Sequence, residues 1–84
     1  MELMFDDTLE KAIALHASGE LQNAELLYRT LLEIRPDQPD ANHNLGLLAL
    51  ADGDIEEALE RFVNAIQANP RTESYWVSYI EGLL

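Results

Sequence analysis

Two clusters in this sequence have residue types suited to chemistry. Residues 51–60 read ADGDIEEALE, where Asp52, Asp54, Glu56 and Glu57 crowd around Gly53 like the ligands of a calcium loop. Asp40 and His43, three residues apart, have a spacing that would serve a metal from one face of a helix. Neither set is complete. A calcium loop of the helix–loop–helix type needs oxygen ligands at alternating positions, glycine at the sixth and a bidentate Glu at the twelfth. Here Gly53 follows the first Asp directly, and the twelfth position counted from Asp52 is Val63. No second pair exists to complete a site with Asp40 and His43. Neither His16 nor His43 has a nucleophile and an acid arranged around it, and no glycine loop is built to cradle phosphate. The expectation is a chain with no catalytic residue, no metal and no cofactor, which is no enzyme.

The acids have another explanation 34 residues upstream, where residues 17–26 read ASGELQNAEL. Both stretches run Ala, polar, Gly, acid, aliphatic, two variable positions, Ala. At the same offset Tyr28 pairs with Phe62, Leu31 with Ala65 and Pro36 with Pro70. A fixed period of this size marks stacked repeats. Asp54, Glu56 and Glu57 then fall at the start of a helix, where the macrodipole favours each by roughly 0.3–1 kcal/mol. Gly53 is present for its backbone angles.

The repeat is helical. Leu9, Ala12, Ile13, Leu15 and His16 follow helical spacing, with Asp7 as the expected N-cap and Glu10 at the third helical position. Gly19 is placed to end that helix. A second helix, from about Leu21 to Ile34, carries Leu21, Ala24, Leu27, Tyr28, Leu31 and Leu32 on one face and stops before Pro36. Pro39 suits the first turn of a third helix, whose inner face is Ala41, Leu45, Leu48 and Ala49. Gly53 closes it, Ile55 to Ala68 forms a fourth, and Pro70 ends the pair. Thr72 is the expected cap of a fifth helix bearing Trp76, Val77, Tyr79, Ile80, Leu83 and Leu84. The expected fold is all-α: a solenoid of two helix–turn–helix repeats, 5–38 and 39–72, with 73–84 as a partial repeat or capping helix, all in one domain, 1–84.

Bulk composition narrows the partners. Net charge is −11, from 16 acids against 5 bases. Lys11, Arg29, Arg35, Arg61 and Arg71 are scattered, so there is no basic stripe for nucleic acid or anionic lipid. A basic partner suits this charge better. The absence of cysteine removes disulfides and thiolate chemistry. The apolar run Leu45–Ala51 is too short to cross a bilayer. MELMFDDTLEK carries acids where a secretion signal carries Lys or Arg, so the cytoplasm is the expected compartment. Met1 reads as a natural start, whereas the apolar ending Gly82-Leu83-Leu84 suggests an N-terminal piece of a longer protein.

The repeated residues resemble the tetratricopeptide repeat, W-x2-L-G-x2-Y, then A-x3-F, then P. The second repeat shows Leu45-Gly46, Gly53, Ala58, Phe62, Ala65 and Pro70, and the first shows Ala12, Gly19, Ala24, Tyr28 and Pro36. Trp76 stands where a third repeat would place its tryptophan. Thr8 and Asn42 replace that Trp in the first two repeats, Lys11 replaces the Leu, Ala49 replaces the Tyr, and Ile80 replaces a small residue.

The resemblance implies a protein-interaction module, in which the first helix of each repeat lines a concave groove for an extended peptide or a partner helix. The positions carried over are Leu9, Ile13 and His16, then His43, Asn44, Leu47 and Leu50, then Ser78 and Glu81. Asn44 lies in an Asn-Leu-Gly triplet where related repeats of O-GlcNAc transferases place asparagines that hold peptide backbone. Glu10 and Ser78 occupy the equivalent positions, so no ladder of asparagines forms. Leu9 and Ile13 stand where the clamp for a C-terminal carboxylate needs Lys and Asn, which excludes that ligand. Ile13, Leu47 and Leu50 either floor the groove or pack against neighbouring helices. Two other functions remain open. One is the N-terminal, substrate-presenting scaffold of a larger bacterial enzyme of glycosyltransferase or sulfotransferase type. The other is self-association. Trp76, Ile80, Leu83 and Leu84 would cap the second repeat on one side and leave an apolar end for a further helix, or for a second copy in a homodimer.

Overall fold

A computed structural model describes residues 2–84, with side chains from Met4 onward. Five helices follow one another: α1 (Glu2–Ala17), α2 (Leu21–Ile34), α3 (Pro39–Ala51), α4 (Ile55–Ala68) and α5 (Glu73–Leu83). There is no strand among the described residues. α1 packs on α2 and α3 on α4, the two hairpins meet through α2 and α3, and α5 lies on α4 with a smaller contact to α3.

Local chemistry sets the hairpin turns. Gly19 and Gly53 take φ of +88° and +84°, a region that a Cβ disfavours. Their N–H groups donate to the carbonyls of His16 and Leu50. Asp54 is a true N-cap, with Oδ1 accepting from the Glu57 N–H at 3.1 Å. Pro39 sits in the first turn of α3, where Gln38 Oε1 accepts from the Ala41 N–H. The acidic cluster around Gly53 is therefore architectural.

Two expectations about caps need correction. α1 begins at Glu2, so Asp7 is no N-cap, and both Asp7 and Glu10 lie exposed within the helix. The reason is Phe5, which is buried in the core with the Arg35 guanidinium 4.1 Å from its ring centre. That burial favours helix well before the Asp-x-x-Glu signal. Thr72 occupies the N-cap position of α5 but makes no capping hydrogen bond with its side chain.

The small residues do what their spacing implied. Ala12, Ala24, Ala41 and Ala58 are wholly buried, and so are Tyr28 and Phe62. A Cβ on Gly46 would lie 2.5 and 2.7 Å from Phe62 ring carbons, so α3 and α4 approach as closely as they do only because glycine is there. Burying a ring such as that of Phe62 is worth about 2 kcal/mol.

Asn42, at the position of the family's tryptophan, is wholly buried. Its Nδ2 donates to the carbonyls of Pro36 and Gln38, each at 3.0 Å, and its Oδ1 accepts from Arg61 at 3.5 Å. It ties the turn between repeats to the second hairpin. A second tie joins α2 to α4, where Arg29 bonds both oxygens of Glu57 while also reaching Glu25.

α5 docks by a different face from the expected one. Tyr75 and Ser78 are buried, and Tyr79 joins the clusters around Phe62 and Ile66. Trp76, Val77, Ile80, Leu83 and Leu84 all stay exposed, so the buried part of the contact with the second repeat is made by Tyr75, Ser78 and Tyr79 instead. The large apolar residues were a poor guide because α3 offers α5 polar partners as well as apolar ones: Asp40 accepts from the Tyr75 hydroxyl, and His43 pairs with Ser78.

Candidate protein-binding groove

The expected groove residues lie on α1 and α3, and their surroundings differ. Ile13 is 40% exposed. Leu9 is half-buried against the core of the first hairpin. Leu47 and Leu50 are half-buried against Ala49, Ala58 and Phe62, so part of each is committed to the core and part faces outward.

Polar residues join these helices. His16 Nδ1 lies 3.3 Å from the Tyr28 hydroxyl, with the two rings edge to face. Asn44 on α3 comes near the same hydroxyl, which brings α1, α2 and α3 to one point. Burial pushes the Tyr28 hydroxyl up to about 12, with the neighbouring Asn44 amide working against the shift. Tyr28 therefore stays a neutral donor and acceptor at any physiological pH.

His43 is turned into the junction between α3 and α5. Its Nε2 lies 2.7 Å from Ser78 Oγ, and its ring is flanked by Phe62 at 5.7 Å and Tyr75 at 4.9 Å. Burial holds this imidazole below its ordinary value, against the attraction of nearby Asp40. Asp40 itself is engaged by Tyr75. Among the described residues, no group of three or more His, Cys, Asp or Glu side chains could hold a metal.

An apolar crevice that the repeat pattern did not indicate lies between α1 and α2, lined by Met4, Phe5, Thr8, Leu31, Ile34 and their neighbours, with a volume of about 410 Å³. The exposed Met4 and Ile34 were its only signals in the sequence. No helix among the described residues is long and apolar enough to cross a membrane.

Comparison with known proteins agrees with this architecture. A profile described as tetratricopeptide repeat matches residues 15–78. Over 66 residues the chain is 32% identical to Cellulose synthase 1 operon protein C of Komagataeibacter xylinus. It is 30% identical over 66 residues to Cellulose synthase operon protein C of Komagataeibacter sucrofermentans. Each alignment takes in 79% of this chain but 5% of the relative, so the chain spans only a small part of the length of the curated relatives it matches. Helical hairpins that recur every 34 residues, closed by Gly19 and Gly53 and nested through Ala24, Ala58 and Gly46, place this chain in the tetratricopeptide-repeat family.

Proposed function

We propose that the chain is a non-catalytic interaction module that takes an extended peptide or a partner helix along α1 and α3. One observation carries this reading. Exposed Ile13 and half-exposed Leu47 and Leu50 share these two helices with His16 and Asn44, so apolar contact and hydrogen bonding are offered together. Asn44 suits backbone recognition because an amide both donates and accepts.

A basic partner is favoured. Sixteen acids face five bases, Arg29 and Arg61 are already held by carboxylates, and most of the acids among the described residues are exposed to solvent. Their field would draw in Lys- and Arg-rich segments and weaken as salt is added.

The test is selection from a library of random linear peptides, followed by binding of the enriched sequences to the Leu47→Glu variant. Enriched peptides should combine apolar residues with Lys or Arg, and the variant should lose them while keeping its helicity. Equal binding by wild type and variant would rule this surface out.

A second reading rests on the relatives, whose names tie them to cellulose synthase operons. In it the chain is a scaffold that holds a polysaccharide-synthesising enzyme or presents its substrate. Co-purification of such an enzyme with the full-length polypeptide tests that. A third reading, a homodimer through Trp76, Ile80, Leu83 and Leu84, is supported by the exposure of all four.

A further inference from the structure

The contact between α3 and α5 is small, and its polar part runs through one cluster. His43 pairs with Ser78, and three residues earlier Asp40 accepts from Tyr75. The equivalents of these four residues, one period earlier, are Leu9, Asn44, Asp6 and Ala41, which cannot reproduce either bond. The attachment of α5 is thus a feature of this junction rather than of the repeat.

We propose that His43 is a proton-operated latch that holds α5 against α3 when neutral and loosens it when protonated. With the proton on Nδ1, the neutral ring accepts the Ser78 hydroxyl at Nε2. In the imidazolium Nε2 can only donate, so the buried Ser78 hydroxyl must turn to accept from it and send its own proton to a different acceptor. The charge would also sit between the rings of Phe62 and Tyr75, in a slot partly removed from water. Asp40 on α3 attracts the imidazolium, but its carboxylate already receives the Tyr75 hydroxyl, so drawing it toward His43 weakens the second bond to α5. His16 on α1 opposes a positive charge here. α4 contributes the uncharged Phe62 ring to the slot, and α5 contributes the Tyr75 ring together with the hydroxyls of Tyr75 and Ser78.

The direction of the effect follows from linkage. Burial lowers the imidazole below its ordinary 6.5, so docking is at full strength above that pH and declines as pH falls toward the depressed value. The latch concerns the attachment of α5 alone and stands whether or not the groove takes peptide.

The chain carries its own reporter, since its single tryptophan, Trp76, is on α5 and donates from Nε1 to the Pro70 carbonyl at 2.8 Å. Trp76 emission and amide hydrogen exchange are followed from about pH 7.5 to about pH 5.5, above the range where most carboxylates titrate. After correction for intrinsic rates, α5 amides should open roughly three- to tenfold more at the acid end, with α2 amides unchanged. His43→Gln should abolish that difference, whereas His16→Gln should retain it with the midpoint moved to higher pH, because it removes a charge that opposes the His43 imidazolium. In the wild type, the midpoint of the His43 ring signal by NMR should coincide with that of α5 opening, a comparison needing no variant. Unchanged α5 exchange, a transition surviving in His43→Gln, or non-coincident midpoints would each overturn the latch.

Discussion

Arg29 on α2 grips Glu57 on α4 with two parallel hydrogen bonds of 2.8 and 2.9 Å, and so bolts the second helix of one repeat to the second helix of the next. Arg61 adds a third contact to the same carboxylate at 3.4 Å. Bidentate geometry fixes direction as well as distance, so this pair helps to set the angle between repeats. Hydrogen bonding to Arg29 holds the Glu57 carboxyl below its ordinary 4.5. The pair's contribution is therefore present above that pH and fades as pH falls through the depressed value. A double-mutant cycle with Arg29→Ala and Glu57→Ala should give a coupling of about 1 kcal/mol at neutral pH, shrinking in acid and in high salt. Urea denaturation of the four proteins measures it.

Gly46 has no room for a methyl group. Alanine there must displace the fully buried Phe62 ring, and its methyl would also lie 3.2 Å from Arg61 Cβ. Gly46→Ala should cost about 1–3 kcal/mol despite its gain in helix propensity. Adding Phe62→Leu should recover part of that loss, so that the double variant is more stable than the sum of the two singles. Thermal melts of all three decide the point.

Asn42 should be intolerant of apolar replacement. Asn42→Leu would take the side-chain donor from the Pro36 and Gln38 carbonyls, leaving Gln38 only the residue-42 backbone N–H, and would leave Arg61 only Glu57. A loss of about 1–3 kcal/mol is expected. The amide protons of Asp37, Gln38 and residues 40–42 should exchange faster while those of α1 keep their protection.

The apolar end of the chain can be separated from the groove. Trp76→Ser with Leu83→Ser alters partly exposed positions and gives up the Trp76 bond to Pro70, so the fold should lose about 1–3 kcal/mol and stay helical. If copies associate through this end, sedimentation at high concentration should show a dimer for wild type and a monomer for the variant. Added salt should strengthen that dimer, because each copy carries a charge of −11. A wild-type monomer at every concentration and salt level excludes the dimer.

Local signals were legible in the sequence, and contacts between elements were not. α2 and α4 run between the residues that the glycines and prolines marked, since both copies carry the same punctuation. Asp54 was readable as a cap because capping is a contact over three residues. The start of α1 was misread because Asp7 carries a cap signal, whereas Phe5 supplies tertiary burial that no local rule registers. Arg29 and Glu57 are 28 residues apart, and only the stacking of α2 on the second hairpin brings them together. The inward face of α5 was missed because a hydrophobic pattern points to Trp76 and Ile80, while the docking surface is chosen by the polar partners Asp40 and His43. Asn42 read as a departure from the family pattern, but its amide holds the turn between the repeats.

The most direct measurement of the binding account is an NMR titration of the isotope-labelled chain with a peptide enriched from the random library. Shifts should concentrate at Ile13, His16, Asn44 and Leu47, on α1 and α3, and leave the outer positions of α2 and α4 unmoved. Shifts confined to Trp76, Ile80 and Leu83, or to the crevice beside Met4 and Ile34, would contradict it.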